Sequence, residues 1–221
     1  MKVLVTAGPT REFLDPVRFL SNPSTGRMGF AVARAAHAAG HDVTLVAGPV
    51  SLRAPRGVRR IDVVSARDML KAVEAEDFDC LIATAAVADW RPARRAAQKL
   101  KKREMDGTLK LVRNPDILKA VAARHGDQVL IGFAAETGEP TAEAARKCRE
   151  KGLDLVVAND VTAAGSGFGT ATNRVAFVWP DGRIDRLPLL PKIAVARRII
   201  AAAESVYMHV IGSKEGGMRN G

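Results

Sequence analysis

Ser21-Asn-Pro-Ser-Thr-Gly-Arg-Met-Gly29 stands between an apolar strand pattern, Lys2-Val-Leu-Val-Thr6, and an Ala-rich helical stretch from Arg27 to Ala38 that stops at Gly40. Strand, small-residue turn and helix form the opening of an α/β unit. Such a turn leaves backbone N–H groups and the positive end of the helix dipole free to meet an anion, most often phosphate. Gly26 and Gly29 alone make neither a Walker A loop nor the Gly-x-Gly-x-x-Gly of dinucleotide folds. A capped helix with glycines for close packing accounts for the turn about as well.

Working outward, strands and helices keep alternating. Asp42–Ala47 and Val58–Val64 read as strands, Ser65 caps a helix running to about Glu76, and Cys80–Ala86 is a buried strand. Asn114 is read as the cap of a helix through Arg124 with Pro115 at its first position. A strand over Val129–Phe133, a helix over Thr141–Lys151 and a strand over Leu153–Ala158 follow. This alternation predicts a Rossmann-like α/β fold, a mostly parallel sheet with helices on both faces. Arg174–Trp179 and Ile184–Leu187, joined by Pro180-Asp-Gly-Arg183, then form a hairpin before an amphipathic helix from Lys192 to about Val206. Residues 1–208 form one domain, and the polar, Gly-rich 209–221 is expected to be a disordered tail. Two long connections, Ala88–Thr108 and Asp160–Asn173, begin at carboxyl ends of strands, where such sheets bind ligands. The first reads as a flap.

A chain of 221 residues, 47% hydrophobic, suffices for one α/β core. It shows no membrane-length apolar run and no signal peptide. Cys80 lies in an apolar run and Cys148 on a charged helix, so a disulfide is not expected and a cytoplasmic, reducing location is. His37, His41, His125 and His209 are scattered without zinc spacing. The net charge of +10 favours anionic partners. Aromatic residues amount to only 5%, and no basic run is interleaved with Phe or Tyr as single-strand binders require. A nicotinamide-dependent reductase would need the missing glycine fingerprint. Charge alone does not choose between nucleic acid and phosphorylated small molecules; the segments that follow favour the latter, with neither nucleic acid nor membrane as partner.

Further segments occur in a telling order: Thr6-Ala-Gly-Pro-Thr-Arg-Glu12, Leu14-Asp-Pro-Val-Arg-Phe-Leu-Ser-Asn22, Ala85-Ala-Val-Ala-Asp-Trp-Arg-Pro92, Gln98-Lys-Leu-Lys-Lys102, Asn114-Pro-Asp-Ile-Leu118 and Gly132-Phe-Ala-Ala-Glu-Thr137. Together they closely resemble the phosphopantothenoylcysteine synthetase family, over about Lys2 to Ile200. In many bacteria that family forms the C-terminal half of a bifunctional coenzyme A biosynthesis protein. The resemblance implies a ligase that joins phosphopantothenate and L-cysteine, driven by CTP to CMP and pyrophosphate through an acyl-cytidylate. It also implies magnesium, held through the triphosphate with no residue assigned, and a homodimer; the Ala88–Thr108 arm followed by a strand at Leu109–Val112 offers an exposed edge that could pair between subunits. Flavin chemistry belongs to the decarboxylase half, so no flavin is expected here. A free-standing synthetase and an excised domain both fit. The residues suit such chemistry, because nucleotidyl transfer onto a carboxylate depends on neutralising phosphates and aligning reactants. Cations and amide donors are plentiful, and no Ser-His or Cys-His pair is evident.

Carried over by position, the resemblance implies that Gly8, Ser24, Gly26, Ala86, Asp89, Lys99, Asn114, Pro115, Asp116, Ile117, Phe133, Lys147 and Lys151 bind the nucleotide. Arg18 and Asn22 serve the phosphopantothenate side, and Asn22, Lys99 and Arg18 carry the chemistry. Read from the residues alone, Lys99 is equally one solvated charge among Lys101 and Lys102, Phe133 a core residue, and Asn22 or Arg18 a cap or surface ion pair. Lys147 and Lys151, one helical turn apart, repel one another unless an anion lies between them or Glu143 pairs with Lys147. Two departures stand out. Many relatives have Ser-Ser-Gly-Lys-Met-Gly where this chain has Ser24-Thr-Gly-Arg-Met-Gly29, and some carry His at the place of Pro23.

Overall fold

The computed structural model describes residues 1–102, 107–124 and 126–217. His125, residues 103–106 of the expected flap and 218–221 of the expected tail lie outside the described residues. β1 (Lys2–Ala7) opens the chain, followed by a small hairpin of β2 (Arg11–Phe13) and β3 (Phe19–Ser21). α1 (Arg27–Ala38), β4 (Asp42–Ala47), β5 (Arg59–Asp62), α2 (Ala66–Glu74) and β6 (Cys80–Ala83) come next. A ribbon of β7 (Trp90–Pro92) and β8 (Leu111–Arg113) precedes α3 (Ile117–Ala122), β9 (Val129–Glu136), α4 (Thr141–Lys151) and β10 (Leu155–Asp160). The chain ends with β11 (Thr172–Asn173), β12 (Val175–Val178), β13 (Ile184–Arg186), β14 (Leu190–Pro191) and α5 (Lys192–Gly217).

Eight strands form the central sheet in the order β13-β12-β10-β9-β6-β1-β4-β5. From β5 to β10 every pairing is parallel, and the β12–β13 hairpin adds two antiparallel strands at one edge. The central strands are runs of Val, Leu and Ile because both faces are covered. α1 and α5 pack over Val3, Val5, Leu45, Ile82 and Ile131 on one face. α2, α3 and α4 bury Leu4, Leu81, Leu130 and Val156 on the other. The expected architecture is the observed one.

Several local expectations need correction. Asn114 does not cap α3. Its amide is drawn away to the Ala88 carbonyl at 2.8 Å, and Asp116 caps instead, accepting from the Lys119 N–H at 3.1 Å. The helix therefore starts at Ile117, past Pro115. The strand expected at Leu109–Val112 is β8, shifted to Leu111–Arg113, and within the chain it pairs with β7, Trp90 opposite Arg113. The strand from Cys80 stops at Ala83, because beyond it the backbone turns to bridge Pro9 and Ala86. α5 runs beyond Val206 to Gly217. The Ser65 cap is as expected, with a reciprocal capping box to Asp68.

Close packing fixes the first βα unit. A Cβ on Gly29 would stand 2.5 Å from the Ala7 Cβ and 2.4 Å from Thr84 Oγ1, so only glycine lets α1 rest on β1 and β6. Gly26 caps α1 in the left-handed region, at φ 76°, with no side-chain cap bond. The first-turn amides of α1 are thereby left to whatever enters the space in front of them.

Candidate functional site

β4 and β5 lie on one side of β1, and β6, β9 and β10 on the other. The strand order thus reverses between β1 and β6, and a crevice opens outside their carboxyl ends, the usual ligand position in such sheets. A cavity of about 390 Å³ occupies this place. Its floor comes from Thr6 and Ala83, its rim from Ala85–Asp89, and one wall from Asn114–Leu118. Phe133, Lys147, Lys151 and Phe168 close the remainder.

The walls are tied to each other by hydrogen bonds. The Asn22 amide donates to the Ala86 carbonyl at 3.0 Å, and the Asn114 backbone N–H donates to the Asp89 carbonyl at 2.8 Å. Lys147 Nζ lies 2.7 Å from Glu136 and 3.8 Å from Glu143, and Lys151 Nζ lies 2.7 Å from Asp116. The two lysines therefore do not simply repel each other across one helical turn, since each is held against the cavity by its own carboxylate. Burial would raise the Asp116 carboxyl pKa, but the bonds from Lys151 and the Lys119 amide hold it below the ordinary value.

A second cavity of about 100 Å³ adjoins the first, sharing Ala85, Ala86, Phe133, Ala135 and Phe168. It faces the N-terminus of α1 and is lined there by Ser24 and Gly26. Asn159, Asn173 and Lys192 form its far side. Sequence reasoning did not single out these three residues. The only signal was the length of the Asp160–Asn173 connection.

The structure thus gathers Asn22, Ala86, Asp89, Asn114, Pro115, Asp116, Ile117, Phe133, Lys147 and Lys151 around the larger cavity, and Ser24 and Gly26 around the smaller. Gly8, Arg18 and Lys99 line neither. Gly8 stands behind Gly26, whose Cβ would come within 3.4 Å of the Gly8 nitrogen. Lys99 is exposed on the loop after β7.

Arg18 closes a turn built around Asp15, a fully buried carboxylate. Asp15 accepts from Arg18 Nε and Nη2 at 3.0 and 2.7 Å, from the Val17 and Arg18 amides at 2.8 Å each, and from the Leu100 amide at 3.2 Å. Arg18 also donates to the Leu100 carbonyl at 3.0 Å. The residue next to Lys99 is thereby anchored to the β2–β3 hairpin. Burial pushes the Asp15 carboxyl pKa up, but the guanidinium fork and the three amides outweigh it and hold the group well below the usual carboxylate range. A folded pKa below the unfolded value of about 3.9 contributes stability that is complete at neutral pH. That contribution fades as pH falls through the folded value. Asp15→Asn is therefore expected to melt lower than the parent at pH 7, with the gap narrowing in melts taken progressively below about pH 4. A gap that stays constant across the acid range would contradict the assignment.

Among the described residues, no group of three His, Cys, Asp or Glu is placed to hold a metal ion, and no helix is long and apolar enough to cross a membrane. Both cysteines are free and buried. Burial, reinforced by Asp154, pushes the Cys148 thiol up to about 11, so it is inert as a nucleophile at neutral pH.

Comparison with known proteins follows the same lines. Residues 1–206 match the family of DNA/pantothenate metabolism flavoprotein C-terminal domains. The chain is 46% identical over 212 residues to the coenzyme A biosynthesis bifunctional protein CoaBC of Vibrio vulnificus, covering 94% of this chain and 53% of that protein. It spans about half the length of the curated relatives it matches. The crystal structure of the C-terminal domain of a CoaBC protein superposes with a TM-score of 0.78 at 40% identity, covering 96% of each chain. A Cab2 variant in complex with phosphopantothenate-cysteine shares the fold, with a TM-score of 0.75 at 18% identity over 97% of this chain and 88% of that one.

Proposed function

The chain belongs to the DNA/pantothenate metabolism flavoprotein C-terminal domain family, and from that premise we propose that it is a phosphopantothenate–cysteine ligase acting in coenzyme A biosynthesis. The observation that carries this reading is the cavity at the β1/β6 switch point, lined by two carboxylate-held lysines and an asparagine amide, with no Ser, His or Cys among its lining residues. It is equipped to bind and align anions and offers no Ser-His or Cys-His pair.

In the proposed first step, a carboxylate oxygen of phosphopantothenate attacks the α-phosphorus of CTP, the bond to the β-phosphate breaks, and pyrophosphate leaves. In the second, the cysteine amine attacks the acyl carbonyl, the bond to the cytidylate oxygen breaks, CMP leaves and the amine loses a proton. Lys147 and Lys151 serve the triphosphate, Asn114–Ile117 contact the nucleotide through their backbone, and Asn22 donates to the acyl carbonyl. Lys99 acts from the loop that Asp15 and Arg18 anchor. Magnesium would be carried on the phosphates, in the manner usual for nucleotide sites, with the Asp89 carboxylate at the cavity as its protein ligand. When bound, it would neutralise phosphate charge.

Residues 1–208 are taken as the ligase domain, working in the cytoplasm beside a flavin-dependent decarboxylase as in the bifunctional relatives. A homodimer is part of the proposal. It is supported by the exposed apolar groups Val17, Phe19, Trp90 and Leu111 on the two small ribbons, 57, 39, 45 and 39% accessible. The deciding experiment measures CMP and pyrophosphate release with CTP and magnesium. Release is expected only when phosphopantothenate is present, and turnover to the coupled product only when cysteine is added. CTP hydrolysis indifferent to phosphopantothenate would overturn the proposal.

A further inference from the structure

β6 ends at Ala83, so the rim of the larger cavity, Ala85–Asp89, lies beyond the sheet ladder. Past one isolated bridge between Pro9 and Ala86, single hydrogen bonds hold it in place. Several of them lead to one residue that does not itself line the cavity. Thr10 is fully buried, and its Oγ1 accepts from the Ala88 N–H at 3.0 Å. Its backbone N–H donates to the Ala86 carbonyl at 3.3 Å, and its carbonyl accepts from the Ser21 hydroxyl at 2.8 Å. Ser21 precedes Asn22, whose amide reaches the same Ala86 carbonyl. A buried hydroxyl needs a partner, and any would satisfy it. Thr10 takes its partners from one place, on or beside the cavity wall.

Thr10 is also a fixed point. The two residues after it root β2 on the start of α2: the Arg11 N–H donates to the Val64 carbonyl at 2.8 Å, and the buried Glu12 accepts from the Ala66 N–H at 2.9 Å. From its other side the Ala88 peptide is held by Asn114, whose Nδ2 donates to the Ala88 carbonyl at 2.8 Å. Asn114 Oδ1 in turn accepts from the Arg91 guanidinium at 3.1 Å, and Arg91 also donates to the Arg113 carbonyl. With its oxygen taken by Arg91, the Asn114 amide has its NH2 group turned to Ala88. An unbroken line of bonds, Thr10 to Ala88 to Asn114 to Arg91, thus ties the rim to the Asn114–Ile117 wall.

We infer that Thr10 and Arg91 are positioning residues, clamping the Ala88 peptide from both sides so that rim and wall keep the separation a nucleotide requires. Neither side chain lines either cavity, so both act through the residues they hold. The inference rests on the assignment of that wall to the nucleotide. A wall fixed in advance spares the ligand the cost of ordering it, and a small displacement of such a wall is expensive. The links stand in series, so breaking either end releases the same peptide.

Calorimetry with CTP and magnesium on the full chain tests this. Thr10→Val keeps the shape of the side chain, removes the acceptor for the Ala88 N–H, and is expected to weaken CTP about tenfold. Thr10→Ser restores the oxygen and is expected to return the affinity to within about twofold of the parent. Arg91→Lys keeps the charge without the planar fork and is expected to weaken CTP about threefold. Thr10→Val combined with Arg91→Lys should cost clearly less than the product of the two single losses, because both free one peptide. Arg91→Lys carries the test if Thr10→Val does not fold. A role confined to folding would lower the melting temperatures and leave the CTP affinity of the folded variants parental. That result, a Ser variant as weak as the Val variant, or fully multiplicative losses would overturn the inference. If the parent binds CTP but releases no phosphopantothenate-dependent CMP, the ligase reading fails and the affinities still decide the clamp. A parent that binds no CTP overturns both.

Discussion

Replacing Lys147 and Lys151 together by alanine is expected to lower kcat/KM for CTP by two or more powers of ten. The size follows from what remains behind. Each lysine lines the cavity paired with a carboxylate, Lys147 with Glu136 and Lys151 with Asp116, both at 2.7 Å. On the proposed assignment, removing the cations loses two charge-assisted contacts to phosphate, each of the order of 1.5–3 kcal/mol. It also turns two carboxylates, now uncompensated, toward an incoming triphosphate. Repulsion then adds to lost attraction, and a site that concentrated anions excludes them.

The same substitutions should barely disturb the fold. The lysine side chains are 25 and 23% exposed and their partners 32 and 41%. Partly solvated pairs of this kind contribute about 1 kcal/mol or less each. A melting temperature near the parent's, together with CTP binding that calorimetry no longer detects, is the expected combination. Parental CTP affinity in the double variant would place the triphosphate elsewhere.

The fold was legible in the sequence where a whole apolar run had to be buried. β4 and the helices α1 and α4 begin and end where apolar periodicity, Gly40 and Gly152 require. Legibility failed where side chains answer to distant partners. Asn114 followed by Pro115 has the appearance of a helix start, yet Asn114 is bonded to Ala88, which is close only in the folded chain. The β2–β3 hairpin was missed because three-residue strands carry no alternation to count, and what holds their turn is the buried Asp15.

The candidate site divides in a similar way. Residues on contiguous motifs, such as Ala85–Asp89 and Asn114–Ile117, carried their own signal and meet at one cavity. Asn159, Asn173 and Lys192 come from three separate segments, and each is individually ordinary for its position. Their convergence before α1 is a consequence of the sheet order, with β10 beside β12 and α5 returning across the face that α1 occupies. No local pattern encodes that meeting.

Lys99 and Asn22 should separate the two half-reactions. Lys99 stands exposed next to Leu100, whose backbone is fastened to Asp15 and Arg18. As a triphosphate ligand it would act before and during attack by the carboxylate. Lys99→Ala is therefore expected to lose acyl-cytidylate formation by roughly two or more powers of ten, the scale of other removed charge-stabilising contacts. Asn22 gives one amide hydrogen to the Ala86 carbonyl at 3.0 Å, which leaves its second for an acyl oxygen at the cavity. As attack by the cysteine amine proceeds, charge would build on that oxygen and the hydrogen bond donated to it by the Asn22 amide would strengthen. Asn22→Asp replaces this donor with a carboxylate facing the same oxygen, so the second step should suffer far more than the first. In quenched reactions the Asn22 variant should accumulate acyl-cytidylate, whereas the Lys99 variant should show almost none. Both proteins must first melt like the parent, because the carboxylate introduced by Asn22→Asp would also face the Ala86 carbonyl. Given intact folds, parental rates in both variants would remove these two residues from the chemistry and leave the cavity to be assigned afresh.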